Sequence, residues 1–198
     1  HLEELRARWG RLPGNVIADA GYGSEENYAY LEGNGIGNYV KYSSFDREQK
    51  KRRADRFAAS AFVYNPQRDE FRCPAGRRLV YRRTRVETTG TGYRKQMRVY
   101  QAAGCQSCRW RSECTRAATN RSLQVSHPLE AMRSRARDNL CSARGRQLRS
   151  RRLAEVESVF GRLKHDWGFR RFRLRGLEKV NIEWGLLCMA HNLATIPA

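Results

Sequence analysis

Leu2, Leu5 and Trp9 recur at helical spacing among charged neighbours, which predicts a short amphipathic helix over residues 1–10. Pro13-Gly14-Asn15 is a turn. Val16-Ile17-Ala18 is then a short apolar run between turn residues, the pattern of a buried strand. It ends at Asp19 and the flexible Ala20-Gly21-Tyr22-Gly23. Ser24 is a good helix cap, with Glu25 and Glu26 in the favoured first turn. That helix should run through Tyr28 and Leu31 and stop at Gly33-Asn34-Gly35. A second strand follows over Ile36–Tyr42. Strand, helix, strand is one βαβ unit, the building block of a parallel sheet.

Beyond it the pattern changes. Residues 43–60 are charged, with Lys50-Lys51-Arg52-Arg53 in the middle. From Ala61 to Ser126 short strands alternate with turns, marked by Asn65-Pro66-Gln67 and Thr89-Gly90-Thr91-Gly92. Leu79–Val86 and Tyr93–Gln101 should pair as a hairpin around the second turn. The last third is helical. Pro128 suits the first turn of a helix after His127, and a strongly basic helix is expected over Gln147–Trp167. Gly168 and Gly176 bracket the loop Phe169–Arg175, rich in Arg and Phe. A final apolar helix, Glu178–Ala194, has too few polar residues to stand alone and is expected to pack on the sheet. The expected organisation is a partial α/β core over residues 1–45, a Cys-rich β insertion over 46–126, and a helical return to the core over 127–198. No internal repeat is visible.

Charge narrows the function. Lys plus Arg number 39 against 20 Asp plus Glu in 198 residues, a formal charge of +19. Such an excess destabilises a compact protein by self-repulsion unless a polyanion relieves it, and nucleic acid is the commonest one. A membrane surface would want one basic amphipathic helix beside an apolar stripe, whereas here the charge is spread along the chain. No run of about 18 apolar residues exists, so no transmembrane helix is expected. No signal peptide is visible, and His1–Arg6 read like the tail of a helix already under way, as in a fragment of a longer protein.

Three constellations could carry chemistry. Asp19 closes a strand before a Gly-rich turn, where α/β sheets bind ligands; the plainer reading is a turn or helix cap. Glu157, Gly161 and Lys164 share one helical face beside the apolar Val156, Val159, Phe160 and Leu163. A carboxylate pair can hold Mg²⁺, and a Lys can hold phosphate as a point charge; the plainer reading is a solvated, salt-bridged face. Of six Cys, four cluster as Cys73, Cys105, Cys108 and Cys114, while Cys141 and Cys188 fall in helical segments and read as inert thiols. Four thiolates suit tetrahedral Zn²⁺; reduced free thiols are the alternative.

The segment Ala18-Asp19-Ala20-Gly21-Tyr22-Gly23-Ser24-Glu25-Glu26-Asn27 resembles the region around the second Asp of bacterial insertion-sequence transposases with a DDE, ribonuclease-H-like core. Val156-Glu157-Ser158-Val159-Phe160-Gly161-Arg162-Leu163-Lys164 resembles their Glu-helix, with Lys seven residues after the Glu. Phe172-Arg173-Leu174-Arg175-Gly176-Leu177 and His191-Asn192-Leu193 are similar to the family's tail, and the Cys-rich stretch to an insertion in one bacterial branch. The resemblance implies an α/β fold, a partial ribonuclease-H-like core with a small β-rich, cysteine-containing insertion and C-terminal helices. It implies Mg²⁺- or Mn²⁺-dependent phosphodiester cleavage and strand transfer, with Asp19 and Glu157 as catalytic metal ligands and Lys164 on DNA phosphate. The family also uses an Arg shortly before the Glu; Leu153 stands four before Glu157, so Arg151 or Arg152 would serve. Glu155 is the near-miss alternative to Glu157.

The departure is the first Asp, which the family carries on an earlier strand. The only acids before Asp19 are Glu3 and Glu4, on a predicted helix, and the chain taken alone is expected not to cleave DNA. Arg151, Arg152, Arg162, Arg170, Arg171, Arg173 and Arg175 crowd around the Glu-helix, with Phe169, Phe172 and Trp167 interleaved; guanidinium forks bind phosphates and aromatics could stack on bases. The expected partner is double-stranded DNA, transposon ends and target, met by a homodimer in the bacterial cytoplasm, at the nucleoid. The rival reading is a non-catalytic, zinc-stabilised DNA-binding remnant.

Overall fold

The structure, a computed structural model, describes residues 1–50, 55–152, 155 and 158–196. It divides into two compact units, His1–Ser142 and Ala143–Ala198.

The first unit opens with helix α1 (Leu2–Trp9), strand β1 (Asn15–Ala18), helix α2 (Glu25–Gly33), strand β2 (Gly37–Val40) and the short helix α3 (Phe45–Gln49). β1 and β2 pair in parallel from Asn15↔Gly37 to Ala18↔Val40, so the βαβ unit is present. Ser24 caps α2 by accepting the Asn27 N–H at 3.1 Å. Gly35, with φ 66°, supplies the left-handed turn that follows the helix. Tyr28, Leu31, Ile36 and Val40 are buried with Ala136. Val16–Ala18, expected to be buried, are half-exposed. The reason is the sheet: among the described residues β1 has β2 as its single neighbour.

Helix α5 (His127–Cys141) lies across this unit. Its N-cap Ser126 accepts the Leu129 N–H at 3.3 Å, and Pro128 stands in its first turn, where a missing N–H costs nothing. Arg135 grips Glu32 of α2 with two bonds of 2.8 Å, and Asn139 donates to the Asn38 carbonyl of β2 at 3.1 Å.

Between β2 and α5 comes an antiparallel sheet in sequence order: β3 (Val63–Asn65), β4 (Glu70–Arg72), β5 (Arg78–Thr88), β6 (Arg94–Ala102) and β7 (Ser122–Val125). A short helix, α4 (Arg111–Cys114), follows β6. The core of the sheet is Phe62, Phe71, Leu79, Tyr100, Ala102, Cys105 and Leu123. β5 and β6 form the expected hairpin, β5 longer at both ends and β6 shifted one residue along, with an irregularity of register between Tyr81 and Arg83. The sheet curls until Tyr64 of β3 lies 4.7 Å, ring to ring, from His127 at the start of α5.

The second unit holds α6 (Ala143–Arg152), α7 (Ser158–Gly161), a π-helical turn over Arg162–Asp166, and α8 (Leu177–Ala194). The basic helix therefore starts earlier than its pattern suggested. α7 runs into a π turn, closed by the Trp167 N–H on the Arg162 carbonyl at 3.1 Å. The final helix was expected to bury its apolar side chains, yet no residue of α8 is buried. Leu177, Ile182, Leu186, Met189 and Leu193 are all exposed. The protein is thus an α/β fold with an antiparallel sheet and a helical second unit. Among the described residues no helix is long and apolar enough to cross a membrane.

Candidate functional site

Asp19 follows the last residue of β1 with extended backbone (φ −75°, ψ 169°) and opens the short 3-10 turn Ala20–Tyr22. Its carboxylate does not cap that turn, and the cap of α2 is Ser24. The cap of α2, one structural role open to Asp19, is therefore filled by Ser24. The loop is pinned close to β2. A Cβ on Gly23 would come within 2.4 Å of the Lys41 carbonyl and 3.2 Å of the Tyr28 hydroxyl, so only glycine fits there. The Tyr28 hydroxyl donates to the Val40 carbonyl at 2.9 Å, and burial pushes it up to about 12. Asp19 is an exposed side chain on a tightly held loop.

Glu157, its expected partner, lies outside the described residues, as does Leu153. Glu155, the near-miss alternative, accepts both Arg151 bonds, at 2.9 and 3.0 Å. Lys164 is exposed in the π turn, next to the buried Leu163. A π turn inserts an extra residue per turn and often marks a functional position. Arg162, Lys164, Arg170, Arg171 and Arg175 make no ion pair among the described residues, so their charge is available to an anion. Arg152 is half-buried.

The loop carrying these arginines is ordered by Glu183 of α8, which accepts the Arg173 N–H at 3.0 Å through each oxygen and the Leu174 N–H at 3.0 Å. Those backbone donors, Leu174 first, hold its carboxyl below the usual range. The interleaved aromatics pack on α8 rather than standing free. Phe172 meets Phe169 at 5.3 Å and Trp184 at 6.3 Å, and Trp167 meets His191 at 6.2 Å. Phe172 and Trp167 nonetheless remain exposed beside the arginines.

Cys73, Cys105, Cys108 and Cys114 line one cavity of about 20 Å³, together with Phe57 and Trp110. Cys73 sits in a tight turn, its carbonyl accepting the Gly76 N–H at 2.8 Å; the Cys105 carbonyl accepts the Cys108 N–H at 3.1 Å. The Arg121 N–H points at Cys105 Sγ at 3.5 Å. Burial raises the Cys114 thiol, Arg121 opposes it, and the other three sulfurs add to the rise. An all-sulfur donor set suits Zn²⁺. Yet among the described residues no group of three or more His, Cys, Asp or Glu is placed to hold a metal ion. Sharing a cavity is a weaker condition than converging on one point, and only the weaker one is met.

Two polar clusters had no sequence signal. Asp69, at φ 48°, accepts the Tyr64 and Tyr100 hydroxyls at 2.8 Å each and pairs with Arg98. Tyr100 also bonds His127 Nε2 at 2.8 Å. The second cluster straps the hairpin tip to α2. Thr89 and Thr91 donate to Glu26 at 3.2 and 2.6 Å, and Tyr93 donates to Glu25 at 3.3 Å. The turn Thr89-Gly90-Thr91-Gly92 announced a bend in the sequence, but nothing in it named the docking partner.

Compared with known protein families, residues 72–196 match the one described as transposase DDE domain. No curated protein and no solved structure matches the chain.

Proposed function

The chain belongs to the transposase DDE domain family, and on that premise we propose that it takes part in divalent-metal-dependent DNA cleavage and strand transfer in the transposition of a bacterial insertion sequence. Asp19 and Glu157 are its metal-binding carboxylates. The observation that carries this assignment is the placement of Asp19: an exposed carboxylate at the end of a parallel strand, on a loop held rigid by Gly23, with the helix cap supplied by Ser24.

Bound Mg²⁺ or Mn²⁺ would supply Lewis acidity and an activated water. The chain's own part is to offer hard carboxylate oxygens and to hold the phosphate. Lys164 meets one phosphate from its π turn. Arg151, Arg152, Arg162, Arg170, Arg171, Arg173 and Arg175 neutralise others along the duplex, and two copies on DNA would engage both transposon ends. Cys73, Cys105, Cys108 and Cys114 are assigned to a structural Zn²⁺ that would pin the small sheet; their shared cavity supports this.

The test is Mn²⁺ binding followed by electron paramagnetic resonance. Asp19→Asn and Glu157→Gln should each weaken binding by an order of magnitude or more. Equal affinity in both variants and the parent would sink the carboxylate assignment. Duplex binding without any Mn²⁺ affinity would favour the non-catalytic, DNA-binding reading.

A further inference from the structure

The hairpin of β5 and β6 outruns its sheet. β4 pairs with β5 only over Arg78–Val80, and β7 pairs with β6 only over Arg98–Gln101. From Arg82 to Met97 the two strands, among the described residues, pair only with each other. A free two-stranded ribbon is marginal in water, and this one has little apolar content to stabilise it. It carries Arg82, Arg83, Arg85, Arg94 and Lys95 against the single acid Glu87. Glu87 is already engaged by Lys95 at 2.7 Å and Arg85 at 3.4 Å. Arg82, Arg83 and Arg94 are exposed, and among the described residues none of the three is in an ion pair.

The register places these charges on both sides of the ribbon. Arg83 lies opposite Val99, on the face away from the core residues Leu79 and Tyr100; Arg94 lies opposite Thr88 on the other face. The irregularity at Arg82 puts Arg83 on that face. One extra residue shifts every following side chain to the opposite face. At its far end the ribbon is fastened, because Thr89 and Thr91 both donate to Glu26 in the first turn of α2. That turn begins six residues after Asp19.

We propose that this strapped ribbon is a DNA-binding element in its own right, seated in a groove of duplex DNA with Arg82, Arg83 and Arg94 on the flanking phosphates. The inference rests on the transposase reading for the identity of the polyanion. A major groove admits a two-stranded ribbon, and charges on both faces meet both walls of it. Pinning the ribbon before binding removes the ordering cost that a mobile hairpin would carry. It also sets the bound backbone beside the Asp19 loop, since one end of the ribbon is bonded to the helix that loop leads into.

The experiment measures duplex affinity of the whole chain against salt concentration. The triple variant Arg82→Ala, Arg83→Ala, Arg94→Ala should bind more weakly and lose about 3 from the magnitude of the log–log salt slope, roughly one per phosphate contact. The corresponding triple Lys variant should restore most of both. Thr89→Val with Thr91→Val keeps every charge and loosens the strap, so it should weaken binding several-fold with the slope unchanged. If the parent binds duplex and the triple Ala variant shows the same affinity and slope, the ribbon proposal fails alone. If the parent prefers single-stranded RNA to duplex, or binds no duplex even at low salt, the DNA reading fails with it.

Discussion

The Ser126 hydroxyl donates to Glu25 Oε2 at 2.6 Å and accepts the Leu129 N–H at 3.3 Å. One oxygen therefore caps α5 and gives a hydrogen bond to the buried Glu25 in the first turn of α2. Ser126→Ala should cost about 1–3 kcal/mol, since it removes an N-cap and leaves a buried carboxylate short of a donor. Ser126→Thr should recover most of that. Urea unfolding of the three proteins checks it; a loss within the error of the parent would mean the bond carries no stability.

The Asp69, Tyr100 and His127 network predicts an acid-sensitive fold. Burial, and then the nearby Arg98, lower His127 below its ordinary 6.5. The folded state therefore favours the neutral ring. As pH falls below 6.5 the unfolded chain takes up a proton the folded one resists, so stability declines. Burial alone would raise Asp69, but the Tyr100 and Tyr64 hydroxyls and Arg98 outweigh it and hold the carboxyl below 3.8. Its contribution is present above 3.8 and is lost on further acidification. His127→Gln should flatten the upper part of this decline while leaving the lower part. A melting-temperature profile between pH 8 and pH 3 that is identical in both proteins would contradict this assignment.

For the cysteine cavity the expected outcome is one Zn²⁺ per chain by elemental analysis. A chelator should remove it and lower the melting temperature of the sheet. Cys108→Ser should lose the metal, whereas Cys188→Ser, outside the cavity, should keep it. Purified protein with no zinc and four reactive thiols would leave the cavity as a set of ordinary part-buried cysteines.

Glu183 orders the arginine loop chiefly through the Arg173 and Leu174 N–H groups, with a lesser attraction from the Arg173 guanidinium. Glu183→Ala should speed amide exchange at Arg173 and Leu174 and expose the loop to trypsin, while α8 keeps its helicity. Unchanged exchange at those two amides would show that the aromatic contacts with Trp184 hold the loop without it.

Local rules made the first unit readable. A cap residue at Ser24, a glycine stop at Gly33–Gly35 and two apolar runs are short-range signals, and the structure shows α2 between β1 and β2 where they stand. The hairpin was legible for the same reason. What escaped depends on contacts between distant segments. That Asp69, Tyr100 and His127 meet follows from the curl of the sheet, and that Glu26 receives Thr89 and Thr91 follows from the length of β5 and β6. The exposed side of α8 escaped for a different reason: composition states that a helix wants a covering and says nothing of what provides it. Of the proposed carboxylates, Asp19 stood out because its strand and turn are local, while its distinction from a cap needed the hydrogen bonds.

The closeness of Tyr64 and His127, 4.7 Å between ring centres, bears on the order in which the chain folds. Ser126 and Glu25 are 101 residues apart in sequence, a long loop for α2 and α5 to close. Once the sheet has formed, the chain enters and leaves it at almost one point, and the loop still to be closed shrinks to roughly 40 residues, lowering its entropic cost by about 0.8 kcal/mol. The sheet should therefore gain structure first in refolding, with the docking of α5 on α2 as the later and slower event.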